Sequence, residues 1–334
     1  MQCLDSIDDF ILTLQQCRHE KVLGNAQTSH LHVCKWGLET HENLGNFLVP
    51  LFIDCGSVSD ACRAFGKLSF HTEHSWTSLM QGFNGIDQWQ NAMDLYQQMI
   101  DENVCPSKFT FMALLKACAR LRHTRDGQDL HAEITIKGIE NDPSVGNTLI
   151  DMYSKCGMPM KAKEIFDEFP SRDVILWNAH ISSYVQVGQV REAFSSFARM
   201  VSEGISPNAI TFLALLTSCS HAGLVEEGQI VVKYMHDVGR LTPTLEHYTC
   251  MVDLFSRAGH FYKAIALVEE MQVSDRLPLL LALLSACHKW ANVELGKWAF
   301  EQSVQLNANC SAAYIGMANI YAAAGMQAQQ AFKI

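Results

Sequence analysis

The sequence matches itself at an offset of 101 residues, and that period restricts the chain to architectures built by repetition. Gln27 matches Gln128, His30 matches His131, Gly37 matches Gly138, Asn46 matches Asn147 and Gly56 matches Gly157. Ala61 and Ala162, Phe65 and Phe166, Trp76 and Trp177, Met99 and Met200, Pro106 and Pro207, Cys118 and Cys219, and Gly127 and Gly228 continue the series. A spacing held over half the chain reflects stacked structural units, each presenting the same face to the next.

Each period divides into units of about 35, 31 and 35 residues, and each unit reads as helix, short turn, helix. Between Val174 and Asn208, Trp177, Ile181 and Tyr184 recur at i, i+4 and i+7, and Ala193, Phe197 and Met200 do the same, giving two amphipathic stripes. Gly188 separates them, with Gly56, Gly157, Gly223 and Gly259 at equivalent places, where a helix must stop and glycine adopts the left-handed conformation without a Cβ clash. Gly37, Gly138 and Gly204 end second helices, and Pro106, Pro207 and Pro243 stand just upstream of new units. The units run 7–41, 42–72, 73–107, 108–142, 143–173, 174–208, 209–244, 245–276 and 277–310, with an incomplete one from Ser311. One hairpin cannot bury both stripes, so the expected fold is all-α, a right-handed superhelical solenoid of about nine helix-turn-helix repeats with a concave face. Strand-type alternation is sustained nowhere.

No apolar run approaches the roughly 18 residues of a membrane span, which predicts no membrane partner. Lys and Arg number 25 against 35 Asp and Glu, a net charge of −10, which disfavours non-specific coating of phosphates but leaves sequence reading open. The 12 cysteines never form C-x-x-C, and most fall in helical apolar stripes, as small buried thiols of a reducing compartment would. The opening MQCLDSIDDF is acidic where a transit peptide would be rich in Arg and Ser, so the chain either carries no address or its sequence begins late.

The stretches GNTLIDMYSKCG (146–157), AKEIFDEFPSRDVILWNAHISSYVQVG (162–188), ITFLALLTSCSHAGLVEEG (210–228) and EHYTCMVDLFSRAG (246–259) resemble pentatricopeptide repeats. The alternation of long, short and ordinary units resembles the PLS subclass found in land-plant organellar RNA-editing factors, and residues 282–325 resemble the E extension that follows its last short repeat. Leu280 stands where that extension usually has Trp, and the chain ends at Ile334 inside the extension's second half. The resemblance implies an N-terminal tail over 1–6, eight repeats over 7–276 and an E-type extension over 277–334.

The resemblance also implies base reading on single-stranded RNA, one base per repeat. Asn178 follows the core residue Trp177 by one helical step, leaves the packed stripe, and offers both a donor and an acceptor. Asn208, at the end of the unit, is the second reading position of the family. In the same register the pairs are Asn46 with Thr72, Thr77 with Ser107, Asn147 with Asp173, Asn178 with Asn208, and Thr249 with Arg276. In the family, Asn followed by Asp favours uridine, Asn followed by Asn favours cytidine, and Thr first favours a purine. Ile11, Met112 and Leu213 cannot hydrogen-bond a base edge and act as spacers. From residue 42 the implied order, 5′ to 3′, is pyrimidine, purine, any, U, C, any, purine. Thr72, Ser107 and Arg276 are unusual at the second position.

Catalytic signatures are missing from the sequence. His131-Ala132-Glu133 satisfies the H-x-E of a zinc cytidine deaminase, but no P-C-x-x-C follows to complete the metal ligands, and His131 falls in a second helix with His30 one period earlier. No H-E-x-x-H, Walker loop, G-x-G-x-x-G or G-x-S-x-G occurs, so neither enzyme activity nor a cofactor is expected. Asn309-Cys310-Ser311 matches a glycosylation acceptor by a pattern short enough for chance. By resemblance, the chain is a recognition factor for C-to-U editing in a mitochondrion or chloroplast, with a deaminase-bearing protein or editing cofactor acting in trans. The competing reading is a helical scaffold that binds a protein or peptide, which the negative charge suits. A basic groove would favour RNA, and an acidic or apolar one a protein.

Overall fold

The structure, a computed structural model, describes residues 7–38 and 41–325. The tail assigned to 1–6 and the end of the extension after 325 lie outside the described residues. Among these, the chain is all-α, with nineteen helices and no strand. They pair as α1 (Ile7–Glu20) with α2 (Leu23–Lys35), α3 (Glu42–Asp54) with α4 (Val58–Phe65), α5 (Glu73–Gly85) with α6 (Trp89–Asp101), α7 (Lys108–Leu121) with α8 (Thr124–Ile136), and α9 (Pro143–Lys155) with α10 (Pro159–Glu168). After these come α11 (Val174–Gln186) with α12 (Val190–Ser202), α13 (Ala209–Ala222) with α14 (Val225–Asp237), α15 (Leu245–Arg257) with α16 (Phe261–Glu270), α17 (Arg276–Trp290) with α18 (Val293–Leu306), and a final α19 (Ser311–Ala323). A single 3₁₀ turn, Val273–Asp275, precedes α17.

Two compact units divide between Phe169 and Pro170. In the first, α1, α3, α5, α7 and α9 form a continuous row, each packed on the next; in the second, α11, α13, α15, α17 and α19 do so. Every second helix packs on its own first helix and on the first helix of the following hairpin within its unit. This arrangement explains an asymmetry in burial. α11 buries Leu176, Trp177, Asn178, His180, Ile181, Ser183, Tyr184 and Val185, whereas α12 buries a single stripe of Ala193, Ser196 and Met200. Burial of side chains as large as Trp76, Phe111, Trp177 and Phe212, each at most 1% exposed, holds neighbouring hairpins together, at more than about 1.5 kcal/mol for each such side chain.

The turns keep the same period. Gly188, Gly204 and Gly223 take φ of 73°, 78° and 70°, and one period earlier the same left-handed conformation is held by Asp87, Asn103 and Arg122, with φ of 59°, 58° and 56°. The turn geometry is therefore a property of the hairpin rather than of glycine. Asp and Asn tolerate this region better than a long side chain such as Arg122. The cysteines are less uniformly buried than their sequence pattern implies. Cys17, Cys118, Cys219 and Cys287 are buried, Cys105 is exposed and the other described thiols are half-buried. Burial pushes the Cys287 thiol up to about 12, which makes it unreactive at neutral pH. No helix of the described residues is long and apolar enough to cross a membrane.

Because Arg122 occupies a left-handed turn that Gly223 occupies one period later, Arg122→Gly should raise stability by roughly 0.5–1 kcal/mol, the relief of the clash exceeding the added entropy of the unfolded glycine. Gly223→Arg should lower it by a similar amount. Urea midpoints at unchanged slope measure both, and a destabilised Arg122→Gly chain would show that the turn carries no strain.

Candidate functional site

Each of the eight first-position residues, Ile11, Asn46, Thr77, Met112, Asn147, Asn178, Leu213 and Thr249, is the fifth residue of a first helix, one turn inside its N-terminus. Thr72, Ser107, Asp173 and Asn208 cap the next first helix, each side chain accepting a backbone N–H of its first turn. The capping requirement is physical, since the first turn of a helix leaves N–H groups without intrahelical partners. Within a unit the two positions meet where one hairpin hands over to the next in three pairs: Asn46 with Thr72, Thr77 with Ser107, and Asn178 with Asn208.

The pair Asn178 and Asn208 shows how tightly. Asn178 is 6% exposed, and its Nδ2 donates to Asn208 Oδ1 at 3.0 Å. Thr211, the third residue of α13, donates its hydroxyl to Asn178 Oδ1 at 2.6 Å and its backbone N–H to Asn208 Oδ1 at 3.1 Å. Its Oγ1 accepts the N–H of Asn208 at 3.1 Å, closing a capping box. A backbone N–H can only donate, so it fixes which end of the Asn208 amide faces inward. The oxygen is taken, and none of these bonds uses Nδ2, which is left as a donor on a half-buried side chain.

Asn46 and Thr72 are joined in the same way. Asn46 Oδ1 accepts the N–H of Thr72 at 2.9 Å and lies 3.2 Å from its hydroxyl, while Nδ2 donates to Phe70 O at 3.0 Å. Thr77 and Ser107 are instead joined through a third residue, Glu73, the first residue of α5. The hydroxyls of Thr77 and Thr110 lie 2.7 and 2.9 Å from Glu73 Oε1, and the Ser107 hydroxyl donates to the same oxygen. Burial pushes the Glu73 carboxyl up, but the bonds from Ser107, Thr77 and Thr110 outweigh it and hold the group below its usual range.

The remaining pairs differ. Asn147 belongs to the first unit, where its Oδ1 is buried without a hydrogen-bond partner. Asp173 belongs to the second, is exposed, and accepts the Leu176 N–H at 2.8 Å with one oxygen. Thr249 donates to Leu245 O of its own helix at 2.8 Å. Arg276 donates to Met271 O at 3.0 Å and Glu269 O at 2.8 Å, so the bonds of these two residues run to different places. Arg276 is the first residue of α17, and the residue at the N-cap is Asp275, one position earlier. Asp275 makes no capping bond, so α17 begins without a side-chain cap.

Sequence reasoning missed three sets of residues here. Thr110 and Thr211, which close the capping boxes, stand 101 residues apart and were legible from the period. Phe109, Ile175 and Ile210, second residues of their helices, are 55%, 59% and 58% exposed beside the caps, with Lys108 Nζ 5.4 Å from the Phe109 ring centroid. Glu73 has no counterpart one period later, where Val174 stands. The cations at these turns are engaged: Lys108 Nζ pairs with Asp142 Oδ2 at 2.7 Å, and Arg172 Nη1 lies 3.8 Å from Glu203 Oε2. The turns are mixed in charge rather than basic.

His131 and Glu133 prove structural. His131 Nδ1 lies 3.0 Å from Tyr153 Oη, and Glu133 accepts the Tyr96 hydroxyl at 2.6 Å. Burial, followed by Lys161, holds the His131 imidazole below its usual pKa and so neutral. No group of three His, Cys, Asp or Glu among the described residues is placed to hold a metal.

A PPR repeat family model matches residues 71–120 and 172–221, and a PPR repeat model matches 147–174, 210–240 and 246–275. Together they span a little over half of the chain, which belongs to the pentatricopeptide repeat family. It is similar to the pentatricopeptide repeat-containing protein At1g08070, chloroplastic, of Arabidopsis thaliana, with 31% identity over 94% of this chain and 43% of that protein. Similarity to At4g19191, mitochondrial, of the same plant is 32% over 96% of this chain and 49% of that protein, and to At3g56550 it is 35% over 94% and 54%. The chain thus spans about half the length of the curated relatives it matches. In fold it is similar to the maize pentatricopeptide repeat protein PPR10, with a TM-score of 0.64 at 17% identity, covering 91% of this chain and 44% of PPR10. Against PPR10 in complex with an 18-nt psaJ RNA element the TM-score is 0.70 at the same identity, over 91% and 46%.

Two outcomes follow from the network. Thr211→Val removes a hydroxyl that serves a buried Asn178 and the α13 cap, and should cost about 1–3 kcal/mol by urea denaturation, whereas a loss below about 0.5 kcal/mol would mean the bonds are replaced by water. The folded Glu73 carboxyl titrates below the ordinary 4.5, so its contribution is complete above that pH and is lost as pH falls through the depressed value. The stability gap between the parent chain and Glu73→Gln should therefore shrink between about pH 6 and pH 3, and a gap that widened would reverse the assignment.

Proposed function

We propose that the chain is a sequence-specific single-stranded RNA-binding segment that recognises sites of C-to-U editing in mitochondrial or chloroplast transcripts. On this reading, residues 7–276 form eight repeats of the long, short and ordinary types, residues 277–334 form the start of an E-type extension, and a deaminase-bearing protein or editing cofactor acts in trans. Membership of the family, the chloroplastic and mitochondrial names of relatives, and the RNA held by PPR10 support it. The resemblance of the unit lengths and the extension to editing factors supports the editing role.

The single observation that carries the reading is the fixed amide of Asn208. With its oxygen held inward by the Thr211 N–H, it offers only a donor, which matches the N3 acceptor on the Watson–Crick edge of cytidine and not the N3–H of uridine. Asp173 is the converse. One oxygen caps α11 and the other is an acceptor, the partner that a uridine N3–H needs. The exposed Phe109, Ile175 and Ile210 give bases an apolar surface to lie against. The mixed charge at these turns and the net charge of −10 favour a second reading, a protein-binding scaffold.

Selection from a random RNA pool separates the two. The chain should enrich a sequence with U followed by C, and Asn208→Asp should convert that C preference to U by about 5- to 150-fold, the equivalent of roughly 1–3 kcal/mol for one edge contact. An unchanged preference in a folded variant would remove Asn208 from base reading. A pool with no enrichment would favour the scaffold.

A further inference from the structure

At the third hairpin the polar groups that face the reading position are not arranged as their residue types suggest. Thr77 is 4% exposed, so its hydroxyl has little reach. Thr77 Oγ1 lies 2.7 Å from both Glu73 Oε1 and Thr110 Oγ1, and the Thr110 and Ser107 hydroxyls also donate to Glu73 Oε1. The Ser107 oxygen accepts the N–H groups of Phe109 and Thr110, and the Thr110 oxygen accepts the N–H of Ser107. The hydroxyl protons are thus directed inward, and the oxygens of Ser107 and Thr110 are occupied. None of these bonds uses Glu73 Oε2, on a side chain that is only half-buried.

We infer that Glu73, and not the hydroxyl of Thr77 or Ser107, presents the polar atom to the base at this hairpin, and that its carboxylate selects guanosine over adenosine. The inference rests on the RNA-binding reading above and deepens it. A hydroxyl can donate or accept, and would serve either purine; a carboxylate can only accept. Guanosine presents adjacent N1–H and N2–H donors on its Watson–Crick edge, whereas adenosine presents an N1 acceptor that faces a carboxylate oxygen with like partial charge. The second position of this unit is Ser107, which cannot supply the acceptor that Asp173 supplies two hairpins later, and Glu73 fills that role from the start of its own helix. The depressed titration of Glu73 keeps the carboxylate ionised at neutral pH, where it stays an acceptor. Equivalent first residues, Val174 and Ala209, have no polar group to do this.

The test is binding of the full chain to a single-stranded RNA with the core UGAUCAA, written 5′ to 3′, against three variants with A, C or U in place of G. The parent should bind the G-bearing RNA about 10-fold or more tighter than the A-bearing one, the scale of one discriminating edge contact. Glu73→Gln exchanges an acceptor for a donor and should bring that ratio within about 2-fold or invert it, while the cytidine preference read by Asn178 and Asn208 persists and shows the chain folded. Glu73→Asp keeps the charge and should retain a preference for G; it also decides the matter should the Gln variant lose binding altogether. A parental G-to-A ratio in Glu73→Gln, or a Glu73→Asp chain that no longer prefers G, would overturn the inference. A parent that discriminates C from U at the Asn208 position but not G from A at this one would overturn it alone. A parent that binds no RNA would overturn the RNA reading with it.

Discussion

A first helix in this chain is shared. Within each of the two units it packs on its own second helix, on the first helices next to it, and on the second helix of the preceding hairpin, so that most of its length is enclosed. Polar side chains on such a helix need partners within the protein or a place at its ends, because a buried donor or acceptor left unpaired costs about 1–3 kcal/mol. The N-terminal turn meets both needs, since its own N–H groups are unpartnered and call for acceptors. The caps Thr72, Ser107, Asp173 and Asn208 answer that demand, and each is the last residue of its unit. The chemistry of the molecule is concentrated at these junctions because the packing leaves it few other places.

The period made the hairpins legible. Apolar stripes at helical spacing, glycines at the turns and residues spaced 101 apart mark the helices without any energetic reasoning, because each unit repeats the same burial. The turns also show where periodicity misleads: Asp87, Asn103 and Arg122 hold the same left-handed backbone as the glycines one period on, so sequence identity underestimates structural identity. The cysteines mislead in the other direction. Most fall on helical stripes, but Cys105 lies between α6 and α7, outside any helix, and is exposed.

At the junctions, legibility stops at residue type. Asn178 and Asn208 are placed in one site by the repeat, but which of them presents a polar atom depends on Thr211, and that is a matter of hydrogen-bond direction. Glu73 was invisible because its role depends on hydroxyls from two helices converging on one oxygen. Arg276 shows the limit most plainly. It falls one residue inside α17 rather than at the cap, its guanidinium donates to the carbonyls at the end of α16, and the N-cap Asp275 leaves the helix start without a side-chain bond.

On the proposed reading, capping and recognition are the same constraint at these positions. A cap must give an acceptor to a backbone N–H, and a backbone N–H cannot reverse its role. Asn in that position must therefore turn its oxygen inward and its NH2 outward, whereas Asp turns one oxygen inward and another outward, and Ser or Thr has no second polar atom to offer. The choice among Asn208, Asp173 and Ser107 is thereby reduced to donor, acceptor or neither, without any further positioning of the side chain. Helix initiation enforces the polarity of each junction whether or not a ligand is present, so a ligand meets a group already oriented by the fold.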